Sequence, residues 1–133
     1  MRQPARPRIL LADDHRLWLE EVCLLLSPYF DVVGTACDGA TLVLEALRLV
    51  PDVIVTDISM PALSGIDAVH RLRQAGSKAK VVFLTIHPEE ELISACMAEG
   101  ALGYIQKCNM TDHLIPAIEA AVHGRAYVST NTS

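Results

Sequence analysis

The chain has 133 residues, 51% of them hydrophobic and 20% charged, with a formal net charge of -5. That length builds one well-buried core but not two ordinary domains, and the acidic balance excludes a surface that grips nucleic-acid phosphates, an affinity supplied by Lys and Arg. No apolar run reaches the roughly 18 to 20 residues that span a bilayer, and the opening Met-Arg-Gln-Pro-Ala-Arg-Pro lacks the apolar stretch of a secretion signal, so a cytoplasmic chain without membrane contact is expected.

Residues 1–7 read as a disordered basic tail carrying Arg2 and Arg6 together with Pro4 and Pro7. Arg8 to Ala12 is a first apolar, β-branched strand, and it ends in Asp13-Asp14. Trp18/Val22/Leu25 and Leu19/Cys23/Leu26 then recur at helical spacing. Asp31 to Ala36 is the second strand, followed by a helix through Ala40, Val43, Leu44 and Leu47. Asp52 to Thr56 is the third strand and runs straight into Asp57. The next loop holds Met60-Pro61 and Gly65, where Pro restricts φ and Gly permits positive φ. After a helix with Ile66 and Val69, the fourth strand, Lys80 to Thr85, ends on a hydroxyl. Pro88 with Glu89, Glu90 and Glu91 suits the positive end of a helix through Leu92/Cys96 and Ile93/Met97, and Gly100 suits its stop. Leu102 to Ile105 is the fifth strand, with Lys107 just beyond it. Thr111 can cap the last helix, Leu114/Ile118/Val122, although Pro116 removes a donor there and predicts a late start or a bend.

Five strands alternate with five helices, and strand starts lie roughly 21 to 28 residues apart, the length of a βαβ crossover. This predicts an α/β fold, a parallel sheet wound on both faces. The unbroken apolar runs Val53-Ile54-Val55 and Val81-Val82-Phe83-Leu84 belong at its centre. Ligands of such sheets collect outside the carboxyl ends of the strands. Asp13, Asp14, Asp57, Thr85 and Lys107 would all stand on that rim. Three gathered carboxylates repel one another unless a cation sits among them, and hard oxygen ligands suit Mg²⁺. Lys107 and Thr85 would then neutralise and hold a transferring phosphoryl group, with Asp57 as the nucleophile. Taken singly, Asp13-Asp14 equally suits a helix cap, Thr85 an ordinary strand residue and Lys107 a solvated charge. Cys23, Cys37, Cys96 and Cys108 have no metal-site spacing and read as reduced thiols.

The ordered set Ile9-Leu10-Leu11-Ala12-Asp13-Asp14, Val55-Thr56-Asp57-Ile58-Ser59-Met60-Pro61 with Gly65, Leu84-Thr85 and Gly100-Ala101-Leu102-Gly103-Tyr104-Ile105-Gln106-Lys107 resembles the receiver domains of two-component response regulators. The likeness extends from Arg8 to about Val128. It implies a flavodoxin-like, doubly wound sheet of five parallel strands in the order 2-1-3-4-5, with the receiver over residues 8–124 and a linker or tail over 125–133. By the same resemblance, Asp57 takes a phosphoryl group from a sensor histidine kinase, and Mg²⁺, or Mn²⁺ in its place, is held by Asp57, by Asp14 directly, by Asp13 mainly through water and by the backbone carbonyl of Ser59. Thr85 and Tyr104 would form the switch pair, Tyr104 otherwise being a half-buried ring with its hydroxyl in water. Ser59 and His87 fall at positions that tune phosphoryl lifetime, though His87 could equally be a surface histidine. Many receivers have proline after the active-site lysine, whereas Cys108 stands here, which predicts a trans or a strained link.

Asp13-Asp14-His15 with Leu17, and the ending His123-Gly124-Arg125-Ala126-Tyr127-Val128-Ser129, resemble the NarL/FixJ branch, whose receivers precede a LuxR-type helix-turn-helix domain. The implied protein is a non-enzymatic phosphoacceptor that assists its own phosphorylation and dephosphorylation, pairs with a second copy when phosphorylated, and touches DNA only through an output domain absent from these residues. A stand-alone receiver signalling by protein contact is the alternative. A phosphatase with an aspartyl nucleophile would want an acid where Ser59 stands, and a nucleotide binder would want a glycine-rich loop in place of Asp13-Asp14-His15-Arg16.

Overall fold

In the computed structural model, which describes residues 6–129, strands and helices alternate from Arg8 onward. The order is β1 (Arg8–Ala12), α1 (Arg16–Leu26), β2 (Asp31–Ala36), α2 (Gly39–Leu49), β3 (Val53–Thr56), α3 (Gly65–Gln74), β4 (Lys80–Thr85), α4 (Glu90–Ala98), β5 (Gly103–Gln106), a single 3₁₀ turn (Lys107–Asn109), α5 (Met110–Val122) and β6 (Tyr127–Ser129). All neighbouring strands run parallel in the order β2-β1-β3-β4-β5-β6.

The sixth strand corrects the expected five. Residues 127–129, read as linker, pair with β5 through Gly103↔Tyr127, Tyr104↔Val128 and Ile105↔Ser129. The Tyr127 hydroxyl bonds to His113 Nδ1 at 2.7 Å, which ties this short edge strand to α5. Residues 1–5 of the expected tail and 130–133 of the expected linker lie outside the described residues. At the inner end of that tail, Pro7 already accepts a hydrogen bond from the Asp31 N–H at 3.0 Å.

Period-2 side-chain alternation sends each strand's residues to two cores. Ile9, Leu11, Val53, Val55, Val82 and Leu84 pack under α1 and α5. Leu10, Ile54, Val81, Phe83 and Tyr104 pack under α2, α3 and α4. Burial on both faces explains why β3 shows no polar alternation. Helix starts follow local chemistry: Asp38 accepts from the Thr41 N–H at 2.7 Å to cap α2, and Ser64 caps α3 by accepting from the Asp67 N–H at 3.1 Å. α4 opens on Glu90 and Glu91 and stops before Gly100, whose φ of +88° is glycine territory. α5 neither waits for Pro116 nor uses Thr111 as its cap, since it begins at Met110 behind Asn109 and runs through the proline.

Strand order reverses between β1 and β3, which lie side by side with Ala12 opposite Thr56. The residues that follow them, Asp13 and Asp57, therefore emerge together at the carboxyl rim.

Candidate functional site

Asp13, Asp57 and Lys107 are each 5% exposed. Lys107 Nζ stands 2.6 Å from Asp13 Oδ2 and 3.1 Å from Asp57 Oδ2. β5 ends two strands away from β3, so only a long side chain spans the top of β4 to reach both carboxylates. The Trp18 ring of α1 lies 5.1 Å from the ammonium and adds a cation–π contact. The solvated-charge reading of Lys107 thus fails, as does that of Asp13-Asp14 as a side-chain cap, because His15 occupies the cap position of α1 without a side-chain bond.

Donor atoms of Asp13, Asp14, His15 and Asp57 all lie within 4.8 Å of one another. Three carboxylates face one ammonium, an excess of negative charge that a divalent cation balances, and hard oxygens are what Mg²⁺ takes. The residues present fit such an ion on charge and on donor chemistry.

The loop after β3 fixes the Asp57 side chain. Ile58 N–H donates to Asp57 Oδ1 at 2.7 Å, and Gly65 N–H donates to the Ile58 carbonyl at 2.7 Å. A Cβ on Gly65 would stand 1.9 Å from the Asp57 carbonyl oxygen. Glycine is needed here for close backbone approach rather than for positive φ, which corrects the expectation from sequence. The left-handed residue of this loop is Ala62, at φ 68°.

Thr85 and Tyr104 are both fully buried. Tyr104 donates its hydroxyl to the His87 carbonyl at 2.5 Å, so it is not a ring with its hydroxyl in water. Burial, reinforced by the neighbouring Cys96, Glu89 and Asp57, pushes its phenol well above the usual range. The Thr85 hydroxyl oxygen accepts from the His87 N–H at 3.3 Å. His87 is half-buried, with its Nε2 3.0 Å from Ser59 Oγ and its Nδ1 3.5 Å from Glu89 Oε2. The site strands therefore converge on one residue of the β4–α4 loop. Among the described residues no peptide bond is cis, so Lys107 joins Cys108 by a trans link.

Three site features escaped the sequence reading. His15 joins the acidic cluster, and its place directly after Asp13-Asp14 was the available signal. Trp18, in the first turn of α1, reaches Lys107. A Cβ on Gly39 would meet the Leu63 carbonyl oxygen at 1.9 Å, so α2 abuts the loop of the site, which no local pattern announces.

The family model of the response regulator receiver domain matches residues 9–119. The transcriptional regulatory protein MctR of Rhizobium johnstonii is 37% identical over 98% of this chain and 62% of its own length. The transcriptional regulatory protein DegU of Brevibacillus brevis is 37% identical over 91% of this chain and 52% of its own. The chain thus spans somewhat over half the length of these relatives. Among solved structures, the signal receiver domain of the putative response regulator NarL from Mycobacterium tuberculosis superposes with a TM-score of 0.87 at 28% identity, covering 92% of this chain and 100% of that one. A two-component response regulator of the LuxR family from Aurantimonas gives 0.88 at 29%, covering 96% of this chain and 91% of that one. A parallel sheet with its acids at the strand-order reversal, a family match over most of the chain and relatives of the NarL/LuxR type agree: the chain belongs to the response regulator receiver domain family.

Proposed function

We propose that Asp57 is the phosphoacceptor of this receiver, charged by the phosphohistidine of a sensor histidine kinase, and that the acidic rim holds Mg²⁺, with Mn²⁺ as a substitute. The observation that carries the reading is the pairing of Asp57 with Asp13, each 5% exposed, at the ends of adjacent strands with a single ammonium between them. Asp13, Asp14, Asp57 and the Ser59 carbonyl would hold the ion, which supplies neutralisation of the phosphoryl oxygens.

The chain's own residues do the rest. An oxygen of Asp57 forms the new O–P bond while the P–N bond breaks and its electron pair returns to the donor imidazole. Lys107 passes from the free carboxylate to a phosphoryl oxygen. The Thr85 hydroxyl donates to another, and Tyr104 fills the space beside it, so that a local charge event biases a packed two-state element. Ser59 and His87, bonded to each other at 3.0 Å, stand over the site and set how readily water reaches the acyl phosphate. The domain works as a cytoplasmic switch rather than a turnover enzyme. Its output is a LuxR-type helix-turn-helix segment of the longer protein, brought onto DNA as receivers pair, in keeping with relatives that extend well beyond the matched region.

Beryllofluoride, a phosphoryl mimic, tests the reading with the Trp18 emission as reporter, since the ring lies 5.1 Å from Lys107 Nζ. Emission should change only when Mg²⁺ and beryllofluoride are both present and should not change in Asp57→Asn. An equal response in that variant would remove Asp57 from its role.

A further inference from the structure

The Asp13-Asp14 pair carries a third polar neighbour that the phosphoryl chemistry does not use. His15 Nδ1 lies 3.3 Å from Asp13 Oδ1 and 3.2 Å from Asp14 Oδ1. Two ligand atoms that share one ion at metal–ligand distances near 2.1 Å stand about 3.0 Å apart in an octahedron and about 3.4 Å apart in a tetrahedron. Both separations at His15 fall inside that interval, so an ion can enter between the ring and the two carboxylates with little rearrangement. The residue is also preset. Its N–H donates to Asp13 Oδ1 at 2.9 Å, which fixes the backbone from which the ring reaches back to the acids. Its side chain is 67% exposed, which leaves the outer side of the pocket open to an incoming ion. Among the described residues it is the one histidine whose ring nitrogen contacts two carboxylates, since His70 and His87 each face one.

We infer that His15 is a metal ligand of the acidic site, giving it an imidazole donor and hence a preference for borderline transition ions such as Zn²⁺ over Mg²⁺. Imidazole suits such ions, whereas an all-oxygen set suits Mg²⁺. The inference rests on Asp13, Asp14 and Asp57 being a metal site, and it adds a second class of ion to that site. If His15 were merely an ion-pair partner of the acids, its removal would not discriminate between metals.

The test uses the full chain with the exposed thiols Cys37 and Cys108 replaced by Ser, so that neither competes for the metal. Mg²⁺ and Zn²⁺ are titrated calorimetrically into this protein and into its His15→Asn version, a change at a mostly exposed side chain that leaves the core intact. Zn²⁺ affinity should fall by about 10-fold or more in His15→Asn while Mg²⁺ affinity moves by less than about 3-fold. The ¹⁵N resonance of His15 Nδ1 should shift on Zn²⁺ addition. Zn²⁺ binding of equal strength in His15→Asn, or an unshifted Nδ1 in the Zn²⁺-loaded protein, would overturn the role of His15 alone. Failure of both ions to bind would overturn it together with the acidic metal site on which it rests.

Discussion

Tyr104 on β5 is tied to His87 in the β4–α4 loop by a 2.5 Å bond from its buried hydroxyl to the backbone carbonyl. The strand that leads into Lys107 is thereby fastened to the loop that follows Thr85. Tyr104→Phe strips one donor and leaves that carbonyl unpaired, a loss of about 1 kcal/mol, whereas Tyr104→Ala also empties core volume and should cost about 3 to 5 kcal/mol. Urea midpoints of the two variants check the ranking. Comparable losses would mean that the ring contributes little packing.

The same residue predicts an alkaline limit. Its folded-state pKa is raised by burial, so its contribution is fully present below the unfolded phenol value of about 10 and is lost as pH rises from there towards the folded value. Stability of the wild type should fall above about pH 10, with a shallower fall in Tyr104→Phe. Parallel profiles would contradict this.

Lys107 bridges two buried carboxylates and offsets their mutual repulsion. Lys107→Ala leaves Asp13 and Asp57 facing each other without a cation, and removing one partner of a buried ionic group typically costs about 3 to 5 kcal/mol. The loss should be greatest in chelator, and Mg²⁺ should restore more stability to the variant than to the wild type. Denaturation with and without Mg²⁺ measures it, and a metal-independent loss would argue against ion binding beside these acids.

Gly65→Ala places a Cβ 1.9 Å from the Asp57 carbonyl oxygen, backbone that cannot yield cheaply. We expect a destabilisation of about 2 kcal/mol or more, together with impaired phosphorylation as the loop bearing Asp57 is displaced. Thermal melts and phosphorylation yield on the same sample check both. A silent substitution would mean that the loop is softer than its hydrogen bonds suggest.

The thiols should separate by burial. Cys37 and Cys108 are exposed, whereas Cys96 is fully buried and its thiol is pushed up to about 12 by that burial. At mildly alkaline pH an alkylating reagent should label Cys37 and Cys108 first, then Cys23, and Cys96 only on unfolding. Peptide mass mapping over time gives the order, and early labelling of Cys96 would contradict the packing of α4.

Much of this molecule was legible in the chain because its strands are short β-branched runs ending in chemistry. Asp13, Asp57, Thr85 and Lys107 each sit at or just past a strand end, and the crossover spacing was enough to put them on one rim. β6 was not legible. Tyr127–Ser129 is three residues long and follows the turn at Gly124, and its pairing with β5 is a long-range fact that no local pattern encodes. The start of α5 is not legible locally because the tertiary packing of Leu114 and Ile118 overrides the helix-breaking propensity of Pro116. The reason for glycine at Gly65 is hidden in the same way, since what requires it is a carbonyl eight residues earlier in the chain. His15 was in view as part of a motif, but only the folded loop brings its ring back onto the acids.

Intact-mass analysis after incubation with acetyl phosphate and Mg²⁺ tests most directly whether Asp57 is the acceptor. The wild type should gain a single phosphoryl group on the peptide containing Asp57, with no gain in chelator or in Asp57→Asn. An undiminished gain in Asp57→Asn, or a phosphoryl group mapped to another peptide, would contradict it.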